Sequence, residues 1–179
     1  MKPFSVIALV ALAMSTSALA QAANDKLIVP GERIGPATVT MSLDQLTQAF
    51  GPKQGRGRPN TEPVLQQPAT AESHASAVHR FDHLGLRAVT AAGSDNVHLI
   101  ATFVDIDPGF ATKEGVRIGS SRADVEAAYG KATAVLSANP KQVQMIYDDR
   151  GLGLRLTDEN KVDLIQVFRP GAARERWKF

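Results

Sequence analysis

Short runs rich in apolar and β-branched residues, Val143-Gln144-Met145-Ile146-Tyr147, Gly151 to Leu156 and Val162 to Phe168, predict three strands. Asp148-Asp149-Arg150-Gly151 and Thr157-Asp158-Glu159-Asn160 supply turn chemistry between them. An earlier stretch has the same grammar, with strands at Ala77 to Phe81, Leu86 to Ala91 and Val97 to Val104 and turns at Asp82 to Gly85 and Gly93 to Asn96. Ahead of each meander the period changes to that of a helix. Leu43, Leu46 and Phe50 share one face, and Val125, Ala128 and Tyr129 share another. Ser42 with Gln45 makes a capping box, Ser121 with Asp124 a looser one, and Gly51 and Gly130 end the helices in the manner of left-handed C-caps.

The two stretches match beyond their periodicity. Arg33-Ile34-Gly35 leads to Ser42 through Gly51, and Arg117-Ile118-Gly119 leads to Ser121 through Gly130; Phe81/Tyr147, Gly85/Gly151, Leu86/Leu152, Val97/Val162, Ile100/Ile165 and Phe103/Phe168 then fall in step. An internal duplication governs how a fold is read. The expected fold class is α+β: two tandem helix-plus-antiparallel-meander repeats forming one curved sheet, with short helices on one face. The first repeat takes residues 28–108 and the second 109–170, with a basic, aromatic tail at 171–179. Residues 52–76 of the first repeat are rich in Gly, Pro and Gln and predict an irregular loop, whereas the matching connection, Lys131 to Pro140, is much shorter.

Lys2, the apolar run Phe4 to Met14 and the small residues ending Ala18-Leu19-Ala20 have the order of a secretory signal peptide, which places the leader at residues 1–20 and the protein in the periplasm or outside the cell after cleavage. The apolar run falls short of the about 20 residues that span a bilayer, so stable membrane insertion is not expected. The chain has 179 residues and no cysteine, which excludes a thiol nucleophile, a cysteine zinc site and a diacylglyceryl anchor. A formal net charge of +2 gives no reason to expect nucleic acid as a partner.

Uninterrupted alternation along every strand puts Ala77, His79, Phe81, Leu86, Ala88, Val97, Leu99, Ala101, Phe103, Met145, Tyr147, Leu154, Val162, Leu164 and Phe168 on the face toward the helices. Arg80, Arg87, Ile100, Ile146, Arg155, Ile165 and Val167 fall on the other, a mixed face of apolar residues rimmed by charge, as protein-binding surfaces are. With Trp177 of the tail, whose residue type often anchors interfaces, these form the candidate partner-binding set. Either that face is open to a partner, or the long loop or the tail folds over it.

Other chemistry is thinner. His79 and His83 flank Asp82, but on a strand their spacing separates them by about 13 Å, so a hydrogen-bonded, partly buried histidine is expected rather than a metal site. Gly119-Ser120-Ser121 lacks the frame of a nucleophile elbow, and Ser121 is already used as a cap. Lys53, Arg56 and Arg58 form a basic stretch with neither a preceding strand nor a following helix start, so it is no P-loop.

The Ile-Gly step, the short capped helix ending in Tyr/Phe-Gly and the meander closing on Val-x-x-Ile-x-Val resemble the small outer-membrane lipoprotein of the barrel-assembly machinery, the SmpA/OmlA family, over Ile34 to Pro170. The tandem arrangement resembles the β-lactamase-inhibitor-protein fold. The chain departs from both, having neither the lipidated cysteine of the first nor the disulfides of the second. The resemblance implies a periplasmic or secreted module that works by holding another protein. The expected function is therefore a non-enzymatic exported protein-binding module of the cell envelope, an inhibitor or an assembly accessory, with another envelope or secreted protein as partner and no cofactor. The alternative is a periplasmic binder of a small ligand, a lipid or cell-wall fragment, held between the two units.

Overall fold

The computed structural model describes residues 25–52, 54–59, 76–91, 94–106, 109–139 and 142–177. The leader expected at residues 1–20, Lys53 and residues 60–75 lie outside the described residues. In chain order the elements are strands β1 (Leu27–Val29), β2 (Arg33–Ile34) and β3 (Ala37–Thr38), helix α1 (Leu43–Phe50) and strands β4 (Gln54–Pro59), β5 (Ser76–Phe81), β6 (Leu86–Ala91), β7 (Val97–Phe103) and β8 (Ala111–Thr112). Helix α2 (Arg122–Tyr129), strands β9 (Ala134–Asn139), β10 (Gln142–Tyr147), β11 (Leu152–Leu156) and β12 (Val162–Phe168), and helix α3 (Ala172–Trp177) follow.

The fold is mostly β, and this corrects the α+β expectation of two tandem repeats on one curved sheet. The described residues form two sheets: a small one in the order β3-β2-β1-β8, and a large one in the order β4-β5-β6-β7-β12-β11-β10-β9. The small sheet joins residues from either side of the expected boundary at 108/109, because β1 pairs in parallel with β8, Leu27 opposite Ala111 and Ile28 opposite Thr112. Two further strands occupy segments read as connections. β4 lies inside the expected loop 52–76, and β9 fills the short link before β10.

Both anticipated helices start as their sequences direct. Ser42 Oγ accepts from Gln45 N while Gln45 Oε1 accepts from Ser42 N, and Ser121 and Asp124 make the same reciprocal pair. Their terminal glycines have positive φ, but Gly51 (φ 88°, ψ 177°) and Gly130 (φ 75°, ψ −154°) run extended instead of left-handed helical, a conformation open in practice to glycine alone. True left-handed caps occur at Gly85 and Gly151, each closing a short 3-10 turn between strands. Gly151 has a second reason to be glycine: a Cβ there would lie 2.6 Å from Gly31 Cα, where the N-terminal hairpin crosses the turn and Gly31 N donates to the Gly151 carbonyl at 3.2 Å.

The core lies between the large sheet and the layer formed by the small sheet, α1 and α2. Ile28, Ile34, Val39, Leu46, Phe110 and Val125 pack there against Phe81, Leu86, Met145, Leu152, Leu154 and Leu156. Ile100, Ile165 and Val167, placed by alternation on the opposite face, belong to this core and are 0% exposed. The cause is a pair of β-bulges. Thr90 is opposite Val97 but Val89 is opposite Leu99, so His98 is an extra residue; Leu156 is opposite Val162 but Arg155 is opposite Leu164, so Asp163 is another. One extra residue reverses the inward and outward positions for the rest of the strand. Val97 and Val162 therefore point to the core, as expected, while Leu99, Ala101, Phe103, Leu164 and Phe168 point away from it.

Candidate functional site

The second face of the large sheet, opposite the core, holds two regions. At one end Val89, Leu99, Ile146 and Phe168 cluster with Ala173 of α3, and Ala172 packs beside them. The C-terminal helix thus lies on this face, one of the two arrangements foreseen for the tail. It is anchored at its first turn by Asp148, whose Oδ1 accepts from Ala173 N at 2.9 Å and Arg174 N at 3.2 Å. Trp177 ends the helix, and its side chain lies outside the described residues.

At the other end arginines flank an aromatic ring. Arg80 is opposite Arg87 across β5 and β6, and Arg87 is opposite Ala101, which puts it diagonal to Phe103. Phe103 is opposite Leu164, and Leu164 opposite Arg155. The Arg87 guanidinium stands 4.2 Å from the Phe103 ring centroid and that of Arg155 stands 5.9 Å from it. Each arginine is held by a carboxylate. Arg155 makes a bidentate pair with Asp163 (2.8 and 3.0 Å), the bulge residue, and Arg87 Nη2 reaches Asp105 at 3.3 Å. Arg80 pairs with Asp82. Arg87 Nε is buried with no hydrogen bond among the described residues. Val104, next to Phe103, is 64% exposed.

Of the eight residues expected to bind a partner, Arg80, Arg87, Ile146 and Arg155 share the second face. Ile146 lies buried in the apolar cluster near α3, and only the three arginines reach the rim. Ile100, Ile165 and Val167 are withdrawn into the core. Phe103 was missed, since unbroken alternation put it inward. Between the two regions Gln144 donates to Gln166 Oε1 at 2.6 Å, directly over Gly153, where a Cβ would meet both amides.

The remaining candidates resolve as local structure. His79 is buried and shares a hydrogen bond with Thr90 Oγ1 at 3.0 Å, while His83 reaches the Phe50 carbonyl at 2.6 Å. Among the described residues no three His, Asp or Glu side chains gather as metal ligands. Ser121 caps α2, and Ser120 Oγ accepts from Arg117 N. Arg56 and Arg58 fall on β4, with side chains outside the described residues. A cleft of about 680 Å³ lies beside the start of α2, lined by Gly109, Glu114 through Ser120 and Asp124. Its walls combine glycine backbone, Glu114, Arg117, Ser120 and Asp124 with Val116 and Ile118, so it is more polar than apolar. Hydrogen bonds from Tyr129 to Glu114 and from Ser121 to Asp124 hold those carboxyls below the usual range. Among the described residues no helix is long and apolar enough to cross a membrane.

No family model and no curated protein matches the chain. A solved structure of a DUF4309 family protein, YjgB of Bacillus subtilis, is similar at 12% identity, covering 84% of this chain and 92% of that one with a TM-score of 0.47.

Proposed function

We propose that this chain is a non-enzymatic protein-binding module of the cell envelope, exported after loss of residues 1–20 and acting as an inhibitor or an assembly accessory on another envelope or secreted protein. The observation that carries this reading is the rim of the second face, where Phe103 is flanked by Arg87 and Arg155, with Arg80 opposite Arg87. Arginine and aromatic side chains are the residue types enriched at interfaces. Here Asp105 and Asp163 hold the guanidinium groups in place before a partner arrives, which lowers the ordering cost of binding. Complementarity of this kind needs no cofactor. The small-ligand reading has less support, because the cleft beside α2 is polar and open where a lipid would require an apolar enclosure.

The test is crosslinked affinity capture from envelope extract with the tagged protein and an Arg80→Glu variant. Arg80 lies opposite Arg87 and its side chain is 55% exposed, so the substitution leaves the fold intact. One near-stoichiometric protein held by the native chain and lost from the variant is the expected result. Equal capture by both, or none by the folded native chain, overturns this surface as the binding site.

A further inference from the structure

The seat of α3 is packed separately from the core. Leu99, Ile146, Phe168 and Ala173 belong to a buried cluster of their own on the second face, and Phe103 of the arginine rim packs against it. The chain reaches this seat through Arg169-Pro170-Gly171, where Gly171 is exposed, has φ +84° and has open space where a Cβ would stand. Past that glycine, among the described residues, α3 is held by Asp148 and by its own first alanines. The Asp148 carboxylate is buried; its Oδ1 accepts from the backbone N–H of Ala173 and of Arg174, and its Oδ2 lies 3.6 Å from Arg174 Nε, on a side chain that is 59% exposed. Ala173 is buried and Ala172 half-buried against the cluster.

We infer that α3 is a latched strap: it lifts from the second face as a unit about Pro170-Gly171 while the sheet beneath stays folded, and the Asp148 carboxylate is the latch. Its six residues fall well below the about 12–15 that an isolated helix needs, so once its first-turn amides leave Asp148 the helix has no stability of its own. The sheet does not share this dependence. β7, β12, β11 and β10 keep their ladder pairing and their packing on the first face whether or not α3 is seated. Such a segment opens at a lower free energy than the whole domain. Opening changes what the second face offers. With α3 seated the arginine rim is presented alone; with α3 lifted, the apolar strip of Leu99, Ile146 and Phe168 is uncovered and runs on into Phe103. The strap therefore withholds part of a surface that adjoins the proposed partner site, an autoinhibitory contact within the chain. That consequence rests on the proposed binding role, whereas the opening itself does not and is tested without a partner.

The chain has no cysteine, so one introduced thiol reports its own accessibility. Ile146→Cys and Ile165→Cys are the same substitution at two sites that are each 0% exposed, the first in the cluster with α3 and the second in the core on the opposite face. Labelled with a water-soluble maleimide, Ile146→Cys is expected to react at least tenfold faster than Ile165→Cys, with a rate that rises less steeply with urea, because lifting six residues exposes little surface. Adding Asp148→Ala is expected to raise the Ile146→Cys rate roughly tenfold further and the Ile165→Cys rate by less than about threefold. Val89→Cys and Val167→Cys, a smaller change in the same two clusters, repeat the comparison where an isoleucine variant fails to fold. Equal rates and equal urea dependence within a pair mean that the second face opens only when the sheet unfolds, which overturns the inference. An Asp148→Ala effect of the same size at both thiols overturns it equally. Selective labelling in a chain that captures no partner would retire the binding role and leave the strap standing.

Discussion

Tyr129 shows how one side chain couples the helix layer to the loop before it. Its ring packs against Tyr147 with centroids 5.6 Å apart, the Arg150 guanidinium lies 5.5 Å from it, and the hydroxyl donates to Glu114 Oε2 at 2.8 Å. Burial, and then the carboxylate of Glu114, push the phenol above its ordinary pKa, while the same hydrogen bond holds Glu114 down. The signs are opposite. Tyr129 contributes stability that is present below its unfolded value near 10 and lost as pH rises through the raised one; Glu114 contributes stability present above its unfolded value and lost as pH falls through the depressed one. Tyr129→Phe is expected to cost about 1 kcal/mol at neutral pH, to return Glu114 toward the usual carboxylate range and to flatten the alkaline loss of stability. An NMR titration of Glu114 and urea unfolding at pH 7 and pH 11 check all three. The inward face of Tyr129 was legible from the spacing Val125, Ala128, Tyr129. Its partner was not, because Glu114 is fifteen residues upstream in a segment without periodicity.

At the scale of elements, the strands that alternate cleanly were legible to within a residue or two, as were both capped helix starts. β10 is read directly from Val143, Met145 and Tyr147, and all three face the core side. β7 and β12 were placed correctly and phased wrongly. The signal was present in the paired apolar residues Leu99-Ile100 and Leu164-Ile165, which strict alternation forbids in a strand with one wet face and which mark a bulge or burial on both sides. Both apply here. Ile165 therefore supports packing and not recognition, and Ile165→Asp is expected to unfold the chain, since it places an unpaired carboxylate at a site that is 0% exposed, at a cost of several kcal/mol. Val104→Asp serves as the matched control, with an unfolding midpoint close to native. A folded Ile165→Asp chain in urea titration would return that residue to the second face.

For the whole molecule, the central pairing of β7 with β12 fuses the two meanders into one sheet, and both faces of that sheet are then apolar. The first face is covered by the small sheet and two helices, and the second needs a cover of its own. α3 supplies part of it, though with six residues it is too short to be stable alone. Asp148 resolves this. It is 1% exposed, its carboxylate accepts from Ala173 and Arg174, and its carbonyl accepts from Gly151 and Gly171, so the turn after β10 holds the tail in place. Nothing in the sequence tied the tail to Asp148, because the contact joins residues 25 and 26 apart with no periodic relation. Asp82, in the turn after β5, pairs with Arg80 instead. Asp148→Ala removes one acceptor from two backbone N–H groups. Charge-assisted bonds of this kind are worth about 1.5–3 kcal/mol, so the amides of Ala173 and Arg174 are expected to exchange roughly ten- to a hundredfold faster. Amides of Leu154 and Val167 at the sheet centre keep their protection if α3 opens as a separate unit. Acceleration of all four together would mean that the sheet's second face is not stable without its helix, and that α3 is as much a part of the fold as the strands beneath it.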